Sequence, residues 1–249
     1  MPDLLILMAA AFAAGVLNTL AGGGTFLTFP ALVLTGMPPV AANATSAVAV
    51  LPGYAGGMAG YRRELGTLSR AQLLHQAGTA LAGGLAGAGL LLVTPDTTFT
   101  QIIPVLMLAA TLAFAFGDTL RARLAGTTAA GPLAGAAGLF LVCVYGGYFN
   151  GGLGIMLLAL FALQGMTGLH RMNGLKTAVS LIVSAISVAA FALAGLVAWT
   201  PALVMMAAAT AGGYLGAPLA RALPDSVVRG AIIATGGVMT AIFTLRALA

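Results

Sequence analysis

Residues 21–30 read AGGGTFLTFP, a triple glycine followed six residues later by a proline, inside a long apolar run. Each interior glycine costs a helix roughly 1 kcal/mol relative to alanine, so Gly22, Gly23 and Gly24 together predict that a helix ending near residue 20 stops there. A second helix then begins near Thr25. The interruption recurs in FNGGLGIMLL, where Gly151 and Gly152 follow Gly22 and Gly23 by 129 positions. One reading of these glycines is close helix packing, as small residues allow throughout membrane bundles. The other is a break whose exposed backbone does chemistry.

The solvent around these breaks follows from composition. Hydrophobic residues make up 60% of the chain and charged residues 6%, with a mean hydropathy of +1.07. Soluble domains carry about 25% charged residues, so this chain belongs in a bilayer. The apolar stretches run for about 20 positions without the ten-residue alternation of a β-barrel, which selects helices. The net charge of +5 resides in short connectors and reports topology rather than a nucleic-acid surface. The single Cys143 excludes an intrachain disulfide, and MPDLL at the N-terminus has no basic region of a cleaved signal peptide.

Apolar segments fall at 4–20, 25–36, 41–60, 70–93 and 99–117, then at 131–149, 153–165, 173–198, 201–221 and 227–247. The two sets of five correspond. Gly36-Met37 recurs as Gly165-Met166, Asn43 as Asn173, and AGGLAG at 82–87 as AGGYLG at 211–216. The last two read as close-packing faces. Residues 1–117 and 131–249 are therefore expected to be two repeats, joined by a cytoplasmic linker at 118–130.

Basic residues set the sidedness. Arg62, Arg63, Arg70, Arg121, Arg123, His170, Arg171, Lys176, Arg221 and Arg229 fall in or beside alternate connectors, which the positive-inside bias places in the cytoplasm. TPDTT at 94–98 then faces out, as do both termini, with Arg246 the one dissenting charge. Five crossings per half make the repeats inverted, an arrangement common among secondary transporters with midplane sites at interrupted helices. The 25–36 segment rises only about 18 Å as a helix, against a hydrocarbon core of about 30 Å. Whether 4–36 and 131–165 are re-entrant hairpins or pairs of spans stays open, because both give the same sidedness. Non-helical backbone at membrane depth is tolerated where protein or a watery cavity satisfies it, and helix starts near Thr25 and Leu153 would offer free amides to an anion.

The stretch NTLAGGGTFLTFPALVLTGMPPVAANATSAVAV, the following YRREL, and the second-half GGYFNGGLG and MNGLK together resemble the TauE/SafE family of membrane proteins over nearly the whole chain. That resemblance implies a multi-pass permease of the bacterial inner membrane that exports sulfite, sulfoacetate or related sulfur anions. It supplies no residue roles, which rest on chemistry alone.

Polar groups near the breaks and the small-residue runs are the candidate ligands. They are Asn18, Thr19, Gly22, Gly23, Gly24 and Thr25 at the first break, with Asn43, Thr45 and Ser46 behind it. In the second half they are Asn150, Gly151, Gly152, Asn173 and Lys176. A membrane Ser or Thr has a competing role in bonding a carbonyl one turn back, whereas an Asn brings several hydrogen-bonding positions that need partners. Lys176 either snorkels to cytoplasmic water or points into a vestibule and attracts anions. Asp3, Glu64, Asp96, Asp118 and Asp225 all fall at ends or connectors, which argues against a carboxylate proton relay. With no metal-ligand cluster, phosphate loop or nucleophile elbow, no cofactor and no enzymatic activity are expected. The expected partners are a small anion, the lipid bilayer and, where it assembles, further copies of this chain.

Overall fold

The computed structural model describes residues 2–21, 23–124, 131–222 and 225–248, and within them the chain is all-helical. In chain order the helices are α1 (Pro2–Ala21), α2 (Thr25–Leu34), α3 (Pro39–Gly60), α4 (Arg62–Leu65), α5 (Arg70–Leu92) and α6 (Asp96–Leu124). They are followed by α7 (Pro132–Tyr148), α8 (Leu153–Leu163), α9 (Leu169–Leu193), α10 (Trp199–Ala222) and α11 (Asp225–Leu248). Gly22 and residues 125–130 of the expected linker lie outside the described residues, as do the side chains of Thr19, Arg121, Arg123, Arg221, Arg229 and Arg246.

The larger differences from the sequence reading have local reasons, and among them α9 ends at Leu193, five residues before the expected 198, where Gly195 with φ +71° closes it. α6 runs seven residues past the apolar segment because TLRARL is polar yet made largely of good helix formers. α9 begins four residues early, at Leu169, since Gly168 with φ +88° is the actual stop signal and His170 and Arg171 are compatible with helix. The four-residue α4 was not anticipated.

Helix ends are closed by defined contacts. α2, α8 and α9 end alike: Gly36, Gly165 and Gly195 have φ of +87°, +74° and +71°. The amide that follows each glycine reaches back to a carbonyl one and a half turns earlier, as in Met37 N to Leu32 O at 3.2 Å and Met166 N to Phe161 O at 2.9 Å. This is the Schellman arrangement, and it explains why a Gly-Met pair occurs twice. At the start of α3, Pro39 occupies the first turn and Asp96 Oδ1 accepts a 2.9 Å bond from Val40 N, satisfying one amide that the helix leaves unpaired.

The distribution of polarity is reversed relative to a soluble protein. Leu193 is 91% exposed and Leu133 85%, while Asn43, Thr45, Ser46, Asn150, Ser180 and Ser184 are buried. Such an exterior suits lipid. By length and composition, Asp96–Gly117 and Leu169–Leu193 are the described segments long and apolar enough to cross a membrane. The short helices, of 10 and 11 residues, are about 15 Å and 16 Å long and do not reach across. Each sits inside a core instead. Phe26, Phe29 and Leu32 of α2 pack with Phe99, Ile103 and Met107 of α6, whereas Leu153, Leu157 and Phe161 of α8 pack with Leu175, Val179 and Val183 of α9.

Small residues bring the remaining helices together. A Cβ on Gly87 would overlap Val144 O of α7, one on Gly147 would overlap Gly84 O of α5, and one on Gly212 would overlap Phe12 O of α1. AGGLAG and AGGYLG are thus close-packing faces, for α5 on α7 and for α10 on α1. Lipid is as apolar as leucine, so van der Waals fit of this kind, and not apolar burial, holds the bundle.

Candidate functional site

The α7–α8 connection is where backbone and side-chain chemistry converge. α7 ends at Tyr148 and α8 begins at Leu153. Between them Asn150 has φ +67°, the one described non-glycine residue in the left-handed region, and Gly152 has φ +76°. Gly151 is not left-handed, so the sign of φ alternates across three residues, a pattern that turns successive amides toward one side. Leu153 N bonds Asn150 O, and Ile155 N and Met156 N bond Gly152 O. Among the described residues the amides of Asn150, Gly151, Gly152 and Gly154 find no partner, although all four residues are buried. They stand at the start of α8, where the helix dipole favours negative charge.

The strained Asn150 is held by its side chain. Its Oδ1 accepts from the Tyr54 hydroxyl of α3 at 3.2 Å, and its Nδ2 donates to Ser184 Oγ of α9 at 3.0 Å. The Tyr145 hydroxyl donates to Gly151 O at 2.6 Å, which pins the neighbouring peptide. Gly152 lies against α6, where an added Cβ would be 3.0 Å from that of Ala110.

Lys176 completes this group. Its side-chain carbons lie 3.3 to 3.9 Å from where a Gly154 Cβ would stand, so the lysine stem runs across the first turn of α8 in the space that the glycine leaves. The side chain is half-buried. Cation, free amides and helix start are therefore contributed by Lys176, Asn150, Gly151, Gly152 and Gly154 within one small region.

Among the described residues the first break shares the second's first-turn hydrogen-bond pattern but not its left-handed backbone. Gly24 is right-handed, with φ −55° and ψ −37°, and Gly23 O and Gly24 O accept from the amides of Phe26, Leu27 and Thr28. The Asn18 amide lies against α3, its Nδ2 2.6 Å from a Cβ position on Gly53. Thr25 is buried at the start of α2. Ser46 pairs with Thr28 at 2.6 Å, and Thr28 also donates to Gly24 O. Thr45 Oγ1 accepts from Ala198 N at 3.1 Å, and Asn43 Nδ2 donates to Tyr148 O at 2.8 Å. Thr28, Ser46, Asn43 and Thr45 are thus engaged in bonds between segments, each worth about 1 kcal/mol in a membrane. Asn173 is half-buried on α9, apart from both breaks in the bonds it makes; its carbonyl accepts from Thr177 Oγ1 at 3.1 Å.

α3 links the two regions, with Val50 and Gly53 at the first break and Tyr54 at the second. Sequence reasoning missed Tyr54, Ser180 and Ser184. A signal for the serines exists: Lys176, Ser180 and Ser184 are four residues apart and share one ridge of α9. Nothing in the sequence alone marks Tyr54.

The sequence model described as Sulfite exporter TauE/SafE matches residues 7–243. A probable membrane transporter protein of Haemophilus influenzae is 30% identical over 249 residues, covering 96% of this chain and 94% of that protein. The probable membrane transporter protein YfcA of Escherichia coli K12 is 29% identical over 246 residues, covering 95% and 87%. A probable membrane transporter protein of a Sinorhizobium species is 33% identical over 111 residues, 45% of this chain and 42% of that protein. No solved structure matches significantly.

Proposed function

The chain belongs to the sulfite exporter TauE/SafE family, a multi-pass membrane transporter by that membership, and on this premise we propose that it carries a small sulfur oxyanion or organosulfonate out across the bacterial inner membrane. The observation that carries the proposal is Lys176 lying along Gly154 at the start of α8, beside four buried amides without partners. A cation and a set of donors without side-chain obstruction suit an oxyanion. Asn150, Gly151, Gly152 and Lys176 are the proposed contacts. Asn18, Gly22, Gly23, Gly24, Thr25, Asn43, Thr45, Ser46 and Asn173 belong to the proposal as the framework that holds these contacts in place.

Inverted repeats fit the way the helices pair. α1 packs on α10 as α7 does on α5, α3 on α10 as α9 does on α5, and α6 on α8 as α11 does on α2. The pairs α3 with α9 and α6 with α11 map onto themselves when the halves are exchanged. Such a set is what a two-fold axis in the membrane plane would generate. An interior-negative potential favours anion exit by about 2.3 kcal/mol per charge per 100 mV, whichever way the carrier is oriented.

Purified protein in liposomes tests the reading. Saturable uptake of sulfite or sulfoacetate, competed by related sulfur anions, is expected, and Lys176→Gln should lower apparent affinity about ten- to a hundredfold through loss of a charged hydrogen bond of about 1.5–3 kcal/mol. Absence of saturable flux for any anion, from protein that is monodisperse and folded, removes the proposal.

A further inference from the structure

Among the described residues four buried side-chain atoms lack a hydrogen-bond partner: Glu64 Oε2, Gln76 Oε1, Arg171 Nε and Ser180 Oγ. Their placement is not scattered. Arg171 and Ser180 are on α9. Glu64, on α4, has its Cβ 3.6 Å from a Cβ position on Gly174 of α9. Gln76 is on α5, one turn before Ala80, which shares a core cluster with Leu175 and Val179. Leu68 just before α5 and Met172 near the start of α9 belong to that cluster, Gly84 meets Val183 and Ile186, and both helices begin beside basic connectors, so α5 and α9 run in the same direction and Gln76, two turns before Gly84, stands level with the turn holding Lys176. All four orphaned atoms thus surround the first half of one helix.

Polar side chains on the other half are paired. Thr28 bonds Ser46, Asn43 bonds Tyr148 O, Thr45 bonds Ala198 N, and Ser187 donates to Val183 O. Phe29 is in ring contact with Phe99, Phe149 and Phe243, and Phe99 with Tyr148, at centroid separations of 5.5 to 6.3 Å. Such a cluster of rings fills that part of the core with largely apolar side chains.

Buried polar atoms that have no protein partner are ordinarily met by water. We infer that a hydrated polar file runs along the N-terminal half of α9, from Glu64 and Arg171 at its mouth, past Gln76, to Ser180. It connects the cytoplasmic side with Lys176, and Ser180 is the last donor before the α7–α8 break. The inference rests on the anion reading above for its cargo and for its sidedness. Ser180 takes its role from its neighbours, because Lys176 one turn before it runs over Gly154 and Ser184 one turn after it holds Asn150. Glu64 and Arg171 carry opposite charge and both keep an unpartnered atom at the mouth. Arg171 draws the anion in, and the nearby carboxylate keeps it from being retained there.

Single cysteines in a Cys143→Ala background test the file. Ser180→Cys, which adds only the size difference between oxygen and sulfur, and Gln76→Cys, which reduces side-chain volume, should react with a small membrane-impermeant sulfonatoethyl thiosulfonate added from the side of the Arg62–Arg63 connector. Their rates should be within about a hundredfold of exposed Thr67→Cys, and sulfoacetate should slow Ser180→Cys. Ser46→Cys and Ser187→Cys, on the paired half, should stay unmodified from either side. Ser180→Cys and Gln76→Cys as inert as Ser46→Cys in monodisperse protein would overturn the file. Radiolytic hydroxyl footprinting of the unsubstituted protein gives a second reading, since water in the file oxidises the buried Met172 whereas a dry interior protects it. The two proposals separate cleanly: flux with an inert Ser180→Cys removes the file alone, and a labelled Ser180→Cys without anion flux sustains the file and removes the cargo.

Discussion

Gly24 and Gly152 each stand immediately before the helix that follows its break, yet their backbones differ. Gly24 is right-handed with φ −55°, a conformation any residue adopts, and the nearest atom to an added Cβ is Val50 Cγ1 at 3.3 Å. Gly152 is left-handed with φ +76° and faces Ala110 at 3.0 Å. An L-residue pays roughly 1–2 kcal/mol to sit in the left-handed region. Gly152→Ala is therefore expected to lower the thermal unfolding temperature in detergent and to weaken anion binding, while Gly24→Ala leaves both nearly unchanged. Equal loss in the two variants would mean that the breaks are functionally equivalent, against the placement of the site at the second one. The sequence shows two matching glycine runs but no φ, so this asymmetry was not readable from it. Asn150 carries the same lesson: its type pointed to a need for partners, but Tyr54 and Ser184, which meet that need, lie 96 and 34 residues away in the chain.

Helices and their caps were the most legible level, because hydrophobic run length and glycine punctuation are local. All ten apolar segments correspond to helices, and the repeated Gly-Met pair marks a repeated Schellman end. α4 and the extension of α6 escaped because a polarity criterion sees lipid contact rather than helix propensity. The α3 start adds a case that locality cannot supply: its amide Val40 N is satisfied by Asp96, 56 residues later. Asp96→Ala removes that acceptor and is expected to cost about 0.5–2 kcal/mol, the range for loss of a helix cap, whereas Asp96→Asn keeps an oxygen there and should cost less. Thermal unfolding of the two variants reads the difference, and flux at saturating anion should be unaltered because the cap lies apart from Lys176. A fall in saturated flux for Asp96→Asn would instead place this carboxylate in the transport path.

At the scale of the whole molecule the helix pairing, the basic connectors and the positions of the acids bear on one question, which is how an anion is driven. Exposed positions on the two faces first fix the frame: Thr67→Cys should be labelled only from the cytoplasmic side and Thr98→Cys only from outside, and the opposite result would overturn the assigned topology while leaving the direction of flux to the potential. None of the five acidic residues falls in the middle of an apolar segment, and Glu64 and Asp96 are placed in the short α4 and in the first turn of α6. A carrier without a membrane carboxylate has no obvious proton partner, so the anion itself should carry the charge that crosses. Such a uniporter lets the anion distribute with the potential, by about 2.3 kcal/mol per charge per 100 mV, which is roughly a fiftyfold ratio for a monovalent anion. Proteoliposomes holding a potassium gradient with valinomycin provide that potential, and the steady-state ratio of a labelled sulfonate is the quantity to measure. A ratio that rises about tenfold for each added 59 mV matches one net charge per transport event. A ratio fixed near unity at every potential would require an exchanged or co-transported ion, and the transport cycle would then need a second binding site that Lys176 and the α8 amides do not provide.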